Sequence, residues 1–159
     1  MIESADSNAT PIFQPQASAL PYRIGESGLE VCLITSRRSG RWGFPKGCLR
    51  EHQTIESAAL CEALEEAGIT GAIVGEPLGQ YTYHKRREHY SVAVLLMEVT
   101  ESRQDWKEGA QRQRYWASFP RAMELLDRPN LVQLLQVAMQ RLAGDAEESS
   151  TDTRSRASA

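Results

Sequence analysis

Apolar and polar positions alternate along this chain in two rhythms, and the change from one to the other marks its elements. Val31 to Ser36 is a short apolar run of the kind that fills a strand inside a sheet, and Ala19 to Arg23 precedes it across the turn sequence Gly25-Glu26-Ser27-Gly28. Tyr90 to Val99 is the longest β-like run, with Ala72 to Gly75, Gly79 to His84 and Tyr115 to Ala117 as shorter strand candidates. Phe119 to Leu126 and Leu131 to Leu142 carry a helical period instead, separated by Asp127-Arg128-Pro129-Asn130. A further helix is expected over Ile55 to Ala67, which contain no Gly or Pro. Thr54 is placed to cap its start, and Gly68 to stop it in a left-handed conformation. At 100° per residue, Leu60, Ala63, Leu64 and Ala67 fall on one wall, the wall expected to meet the core. Strands around one helix, followed by two more helices, predict an α/β fold with a sheet covered on both faces.

Outside this block the patterning fades. Residues 1–16 are polar, contain Pro11 and Pro15 and lack sustained periodicity, so a flexible arm is expected there. Residues 144–159 are rich in Ser, Thr and Ala and are expected to form a disordered tail, leaving residues 17–143 as one domain. A chain of 159 residues that is 41% hydrophobic can close one sizeable core without disulfides. The three cysteines, Cys32, Cys48 and Cys61, show no paired metal spacing and read as reduced residues. No apolar run approaches the ~20 residues that cross a bilayer, and the N-terminus lacks the order of a signal peptide. A cytoplasmic location and no membrane partner are therefore expected.

The opposite wall of the first helix carries Glu62, Glu65 and Glu66. Like charges three and four apart repel, so their clustering gains nothing for the fold unless a cation is present, and hard oxygen donors on a rigid element suit magnesium. The net charge of −3 conceals an uneven distribution. Basic residues crowd into Arg37-Arg38-Ser39-Gly40-Arg41, His84-Lys85-Arg86-Arg87 and Arg112 to Arg114, a distribution that an anionic phosphorylated small molecule bridged by magnesium would satisfy. An acidic chain without a recognition helix or aromatic platform argues against nucleic acid.

Arg41-Trp42-Gly43-Phe44-Pro45-Lys46-Gly47 and the helix after it resemble the signature of the Nudix hydrolases, G-x5-E-x7-R-E-U-x-E-E-x-G-U with U aliphatic. Gly47, Glu62, Ala63, Glu65, Glu66, Gly68 and Ile69 fall on their places. Glu30 to Arg37 before Arg41-Trp42, Glu98 to Glu101 leading to Asp105-Trp106, and Arg112 to Trp116 are similar to the diphosphoinositol polyphosphate phosphohydrolase branch, which also acts on diadenosine polyphosphates.

The resemblance implies an α/β/α sandwich with a mixed sheet between helices. It also implies a Mg2+-dependent or Mn2+-dependent pyrophosphohydrolase that cleaves a phosphoanhydride bond. Glu62, Glu65 and Glu66 become the expected metal ligands and catalytic residues. Arg37, Arg38, Lys46, Gly47, Lys85, Arg87 and His89 become the expected substrate contacts. A binding or regulatory module on the same fold is the alternative reading. Glu108 is a further candidate ligand, although its position reads as a solvent-facing loop.

Two departures from the signature stand out. Gln53 replaces its first glutamate and Cys61 its arginine. Both ends of an ion pair are expected to be lost together, which avoids leaving one charge unpaired. Weaker magnesium binding or slower turnover follows from that reading. Ahead of the first strand the branch carries basic residues where this chain has Gln14-Pro15-Gln16, so part of the polyphosphate surface is expected to be missing.

Overall fold

The computed structural model describes residues 10–156. Its sheet has eight strands. They are β1 (Phe13–Gly25), β2 (Gly28–Thr35), β3 (Trp42–Gly43), β4 (Lys46–Cys48), β5 (Ile69–Ile73), β6 (Gly79–Lys85), β7 (Glu88–Ser102) and β8 (Arg114–Ser118). The main path runs β3-β2-β1-β7-β5, with β4 on β1, β6 on β7 and β8 on β2. β1 and β7 pair in parallel from Phe13↔His89 to Tyr22↔Glu98, and the other pairs are antiparallel, so the sheet is mixed.

Both faces of the central strands are buried, and the two-residue period divides them between two cores. Leu20, Val31, Leu33, Val92, Val94 and Leu96 face one side. There they meet Phe119 and Ala122 of α2 (Phe119–Leu125) and Leu131, Leu135 and Ala138 of α3 (Pro129–Arg156). Ala17, Ala19, Cys32, Ile34, Leu95 and Met97 face the other, against α1 (Ile55–Glu62) and the turn that follows it. The sheet between helices is the expected architecture.

The two sides differ in what holds them. Full burial of a Leu or Val side chain contributes about 1.5–3 kcal/mol, and alanine far less. α1 packs through Ala58 and Ala59, and the turn through Ala63 and Ala67, all fully or almost fully buried, while Leu60 and Leu64 are only half-buried. The core wall is therefore shifted from the one the helical wheel predicted. An interface of small residues brings the helix close to the sheet but supplies little apolar area, so polar contacts carry more of its positioning. A capping box is the first of these. Thr54 Oγ1 accepts from Ser57 N at 3.1 Å, and Ser57 Oγ accepts from Thr54 N at 3.0 Å.

Several boundaries depart from the sequence reading. β1 starts at Phe13, so residues 13–16 are strand where an arm was expected, and their β7 partners fix them. Residues 1–9 of that arm and 157–159 of the expected tail lie outside the described residues. α3 continues through residues 144–156, where disorder was expected. The expected helix over Ile55 to Ala67 ends as α-helix at Glu62 and widens into a π turn, Ala63–Ala67, closed by Gly68 at φ 67° and ψ 33°. β3 and β4 are too short to show a period and were not anticipated. Among the described residues no helix is long and apolar enough to cross a membrane.

Candidate active site

The widened turn sends the acidic side chains to different places. Glu62, the last residue of α1, lies against β4, so close that a Cβ on Gly47 would sit 2.4 Å from the Glu62 carboxyl carbon. Glu66 is buried, with 7% of its surface exposed. Its Oε2 accepts from the backbone N–H of Lys46 at 3.2 Å, and its Oε1 lies 3.3 Å from Nη2 of Arg112. Glu65 turns away from both. Arg50 Nη2 donates to its two carboxylate oxygens at 3.3 Å each, and Lys107 Nζ lies 3.6 Å from Oε1. The three expected ligands are thus split two and one.

Electrostatics follow that split. Burial pushes the Glu66 carboxyl up to about 8, Arg112 and the Lys46 N–H oppose the shift, and Glu62 and Glu108 add to it. Burial and the charge of Glu65 also raise Glu62. Desolvation works against ionisation of Glu65 too. The hydrogen bond and charge of Arg50, aided by Lys107 and Cys61, nevertheless hold it below the ordinary carboxylate range.

These side chains line a cleft of about 460 Å³. β4 contributes Lys46 and Gly47, and the turn after β2 contributes Arg37. The segment between β7 and β8 contributes Lys107, Glu108 and Gln111. Glu108 is not the solvent-facing loop residue expected from the sequence. Its side chain is 15% exposed, and its Oε1 lies 3.3 Å from Arg112 and 3.5 Å from Arg37. Arg112, itself 10% exposed in its side chain, also donates to the carbonyl of Thr35 at 3.0 Å.

Gln53 and Cys61 are joined through a residue that the sequence did not single out. The Gln53 side-chain oxygen accepts from Arg50 N at 2.7 Å, and Gln53 N donates to Arg50 O at 3.0 Å. The Arg50 guanidinium reaches Cys61 Sγ at 3.7 Å while it holds Glu65. A loop arginine therefore stands beside the helix at the cysteine that replaces the signature arginine. Both ends of the signature pair are uncharged here, and a different ion pair, Arg50–Glu65, stands beside them.

Among the described residues, no three His, Cys, Asp or Glu side chains are grouped closely enough to hold a metal by themselves. Magnesium needs fewer, because it keeps several waters and is held by one or two carboxylates plus substrate phosphates. Glu62 and Glu66 suit such an open site. They are neighbouring hard-oxygen donors whose burial disfavours ionisation, with the charge of Glu65 adding to it at Glu62 and that of Glu62 at Glu66, and a cation would balance both.

The NUDIX domain family matches residues 13–137. The chain belongs to the Nudix family. Nudix hydrolase 21, chloroplastic, of Arabidopsis thaliana is 34% identical over 119 residues, covering 71% of this chain and 60% of that protein. Diphosphoinositol polyphosphate phosphohydrolase 3-alpha of Mus musculus is 32% identical over 117 residues, covering 72% of this chain and 70% of that protein. The chain spans only 60% and 59% of the lengths of Nudix hydrolases 21 and 4 of Arabidopsis thaliana. A C. elegans Ap4A hydrolase, solved as a binary complex, matches with a TM-score of 0.73 and 24% identity, covering 82% of this chain and 98% of that one. At that identity the likeness shows the fold. Nudix hydrolases generally use a divalent metal.

Within this Nudix fold, Arg37, Lys46 and Gly47 reach the cleft with the three glutamates. The Lys46 ammonium donates to the Tyr83 hydroxyl at 3.1 Å, which donates in turn to Gln16 Oε1 at 2.7 Å. Burial lowers its pKa. Arg38 is exposed and does not line the cleft. Lys85, Arg87 and His89 lie at the β6–β7 hairpin, also outside its lining. Lys85 pairs across the hairpin with Glu88, Arg87 takes a turn conformation at φ 67°, and the His89 ring packs 5.4 Å from that of Phe13. Arg50, Lys107 and Gln111 are cleft residues that sequence reasoning passed over, as it did the role of Arg112, which stands behind the lining against Glu66 and Glu108. Only Arg112 carried a signal, as part of a basic cluster.

Proposed function

We propose that this chain is a magnesium-dependent pyrophosphohydrolase. Its substrate class is a nucleoside diphosphate derivative or a polyphosphorylated small molecule, of the diphosphoinositol polyphosphate or diadenosine polyphosphate type. The observation that carries the reading is the meeting of Glu62 and Glu66 with the Lys46–Gly47 backbone in a single cleft that also holds Arg37 and Lys107. The likeness to the mouse diphosphoinositol polyphosphate phosphohydrolase, together with the fold shared with the C. elegans Ap4A hydrolase, supports the substrate class.

In the reaction, the oxygen of water bonds to phosphorus as the bridging P–O bond breaks. One phosphate leaves as an anion, and the proton of the water passes to a carboxylate of the cleft. Glu62 and Glu66 would hold the magnesium, with Glu65 beside them. A bound divalent cation neutralises phosphate oxygens and lowers the pKa of an attached water. Arg37 and Lys107 offer charge to the phosphates from the cleft wall. Gly47 leaves the strand backbone free of a side chain where a phosphate would approach. Arg50 keeps Glu65 ionised and fixed.

The test is hydrolysis by the full chain, with magnesium or with chelator, of inositol pyrophosphates, diadenosine polyphosphates, nucleoside triphosphates and ADP-ribose, with products identified by mass. Magnesium-dependent cleavage at a phosphoanhydride is expected. Binding of these compounds without cleavage of any, under magnesium or manganese, would refute the enzymatic reading in favour of a sensing module.

A further inference from the structure

The acidic turn ends on four consecutive carbonyls, those of Glu65, Glu66, Ala67 and Gly68, and each accepts a hydrogen bond from residues 103–114. Glu108 N donates to Glu65 O at 3.1 Å, Trp106 Nε1 to Glu66 O at 2.9 Å, Arg114 Nη1 to Ala67 O at 2.7 Å, and Arg103 N to Gly68 O at 2.9 Å. Carbonyls at a helix end are ordinarily left to water or to a local cap. Here one distant segment takes all four. That segment also supplies Lys107, Glu108 and Gln111 to the cleft, so the acidic turn and the opposing wall form one hydrogen-bonded unit.

Trp106 is central to this arrangement. Its side chain crosses Gly68 so closely that a Cβ there would lie 2.6 Å from the Trp106 Cβ, and the Arg114 guanidinium carbon sits 4.1 Å from the ring centroid. A π turn is rarer than an α turn and holds only where its surroundings favour it. The indole N–H meets this turn at Glu66, the residue whose side chain points to Lys46 and Arg112 while its neighbour Glu65 points to Arg50 and Lys107.

We infer that Trp106 is a positioning residue, whose indole N–H bond to the Glu66 carbonyl keeps the turn wide and so holds Glu65 and Glu66 in their separate directions. The inference rests on the proposed hydrolase reading for its consequence in catalysis, whereas the hydrogen bond it starts from is a feature of the fold itself.

Trp106→Phe keeps a ring against Gly68 and removes the N–H. Site-specific replacement of Trp106 by 3-benzothienylalanine, which exchanges only the N–H for sulfur, serves as the second variant should the phenylalanine protein fail to fold. In the metal-free protein, amide exchange at Gly68 and Glu108 should accelerate by about fivefold or more, with the amides of Leu20 and Leu95 unchanged. Mn2+ binding, followed by electron paramagnetic resonance, should weaken several-fold. On any substrate that the wild type cleaves, kcat should fall while KM stays within about twofold. A purely structural tryptophan would lower the melting temperature but leave local exchange, Mn2+ affinity and kcat per folded molecule as in the wild type, and that result would overturn the inference. If the wild type cleaves nothing, the hydrolase reading fails while exchange and Mn2+ binding still judge the positioning role.

Discussion

Glu62 occupies the space in which Gly47 would otherwise carry a side chain. A Cβ on Gly47 would lie 2.4 Å from both the carboxyl carbon and Oε1 of Glu62, and 2.8 Å from Oε2. An alanine here would have to push the carboxyl end of Glu62 aside. Gly47→Ala should therefore displace Glu62, lowering both melting temperature and hydrolysis. In a Glu62→Ala background the same change should cost little stability. The coupling between the two sites, read from thermal or denaturant unfolding of the four proteins, should reach ~1 kcal/mol or more. Additive stability effects would show that the carboxylate does not press on the strand.

The Arg50–Glu65 contact leads to a different prediction for the cysteine that replaces the signature arginine. Cys61→Arg alone should fail to raise activity, because a second guanidinium would meet Arg50 and compete with it for Glu65. Arg50→Ala alone should lower kcat by leaving Glu65 without its charge-assisted donors. Combining the two should recover much of that loss. Michaelis parameters and half-saturating magnesium concentration for the four proteins check this, and a double variant no better than Arg50→Ala would show that the loop arginine does not substitute for a helical one.

How far the sequence was legible depends on how local each feature is. The capping threonine and the Gly68 stop are written within one stretch, and the structure reproduces them, whereas the acidic cluster written there is divided by the widened turn. The alternation of β1, β2 and β7 likewise revealed strands, though not their ends, because Phe13 to Gln16 are ordered by pairing with His89 to Val92 and not by their own pattern. The widening after Glu62 could not be read, since Ala63 to Ala67 suit an α-helix equally well and the departure is accompanied by contacts from residues 103–114. Arg50 was passed over, and Glu108 was read as solvent-facing, for a related reason. Each is a single charge in a loop without periodicity, and its role appears only when distant segments meet.

Arg37 and Arg87 were both expected to contact the substrate, and the structure separates them. Arg37 lines the cleft beside Glu108, whereas Arg87 sits at a hairpin turn outside the lining. Arg37→Ala should raise KM for highly phosphorylated substrates by about tenfold, more than for ADP-ribose, because a charge-assisted contact is lost. Arg87→Ala should change KM by less than about twofold. Steady-state kinetics on both substrate types decide the matter, and a larger effect at Arg87 would place the distal phosphates at the hairpin.

The last prediction concerns pH and the metal-free fold. Burial raises the Glu66 carboxyl from its ordinary value of 4.5 to about 8. Arg112 and the Lys46 N–H face it favourably, Glu62 and Glu108 unfavourably. A raised acid reverses the usual carboxylate sign. Between pH 4.5 and about 8 the folded protein holds a proton on Glu66 that the unfolded chain has released. The stability contribution of this group is thus fully present below 4.5 and is lost as pH rises to about 8. Glu66→Gln, which keeps the shape and cannot ionise, should melt near the wild type at pH 5 and above it at pH 8, by a difference on the order of 1 kcal/mol or more. The same variant should lose hydrolysis by orders of magnitude, because the carboxylate whose burial costs stability is one of the two proposed to hold the cation. Thermal melts of both proteins in chelator across this pH range provide the check, and a difference that stays flat or shrinks with pH would show that Glu66 ionises like an ordinary carboxylate.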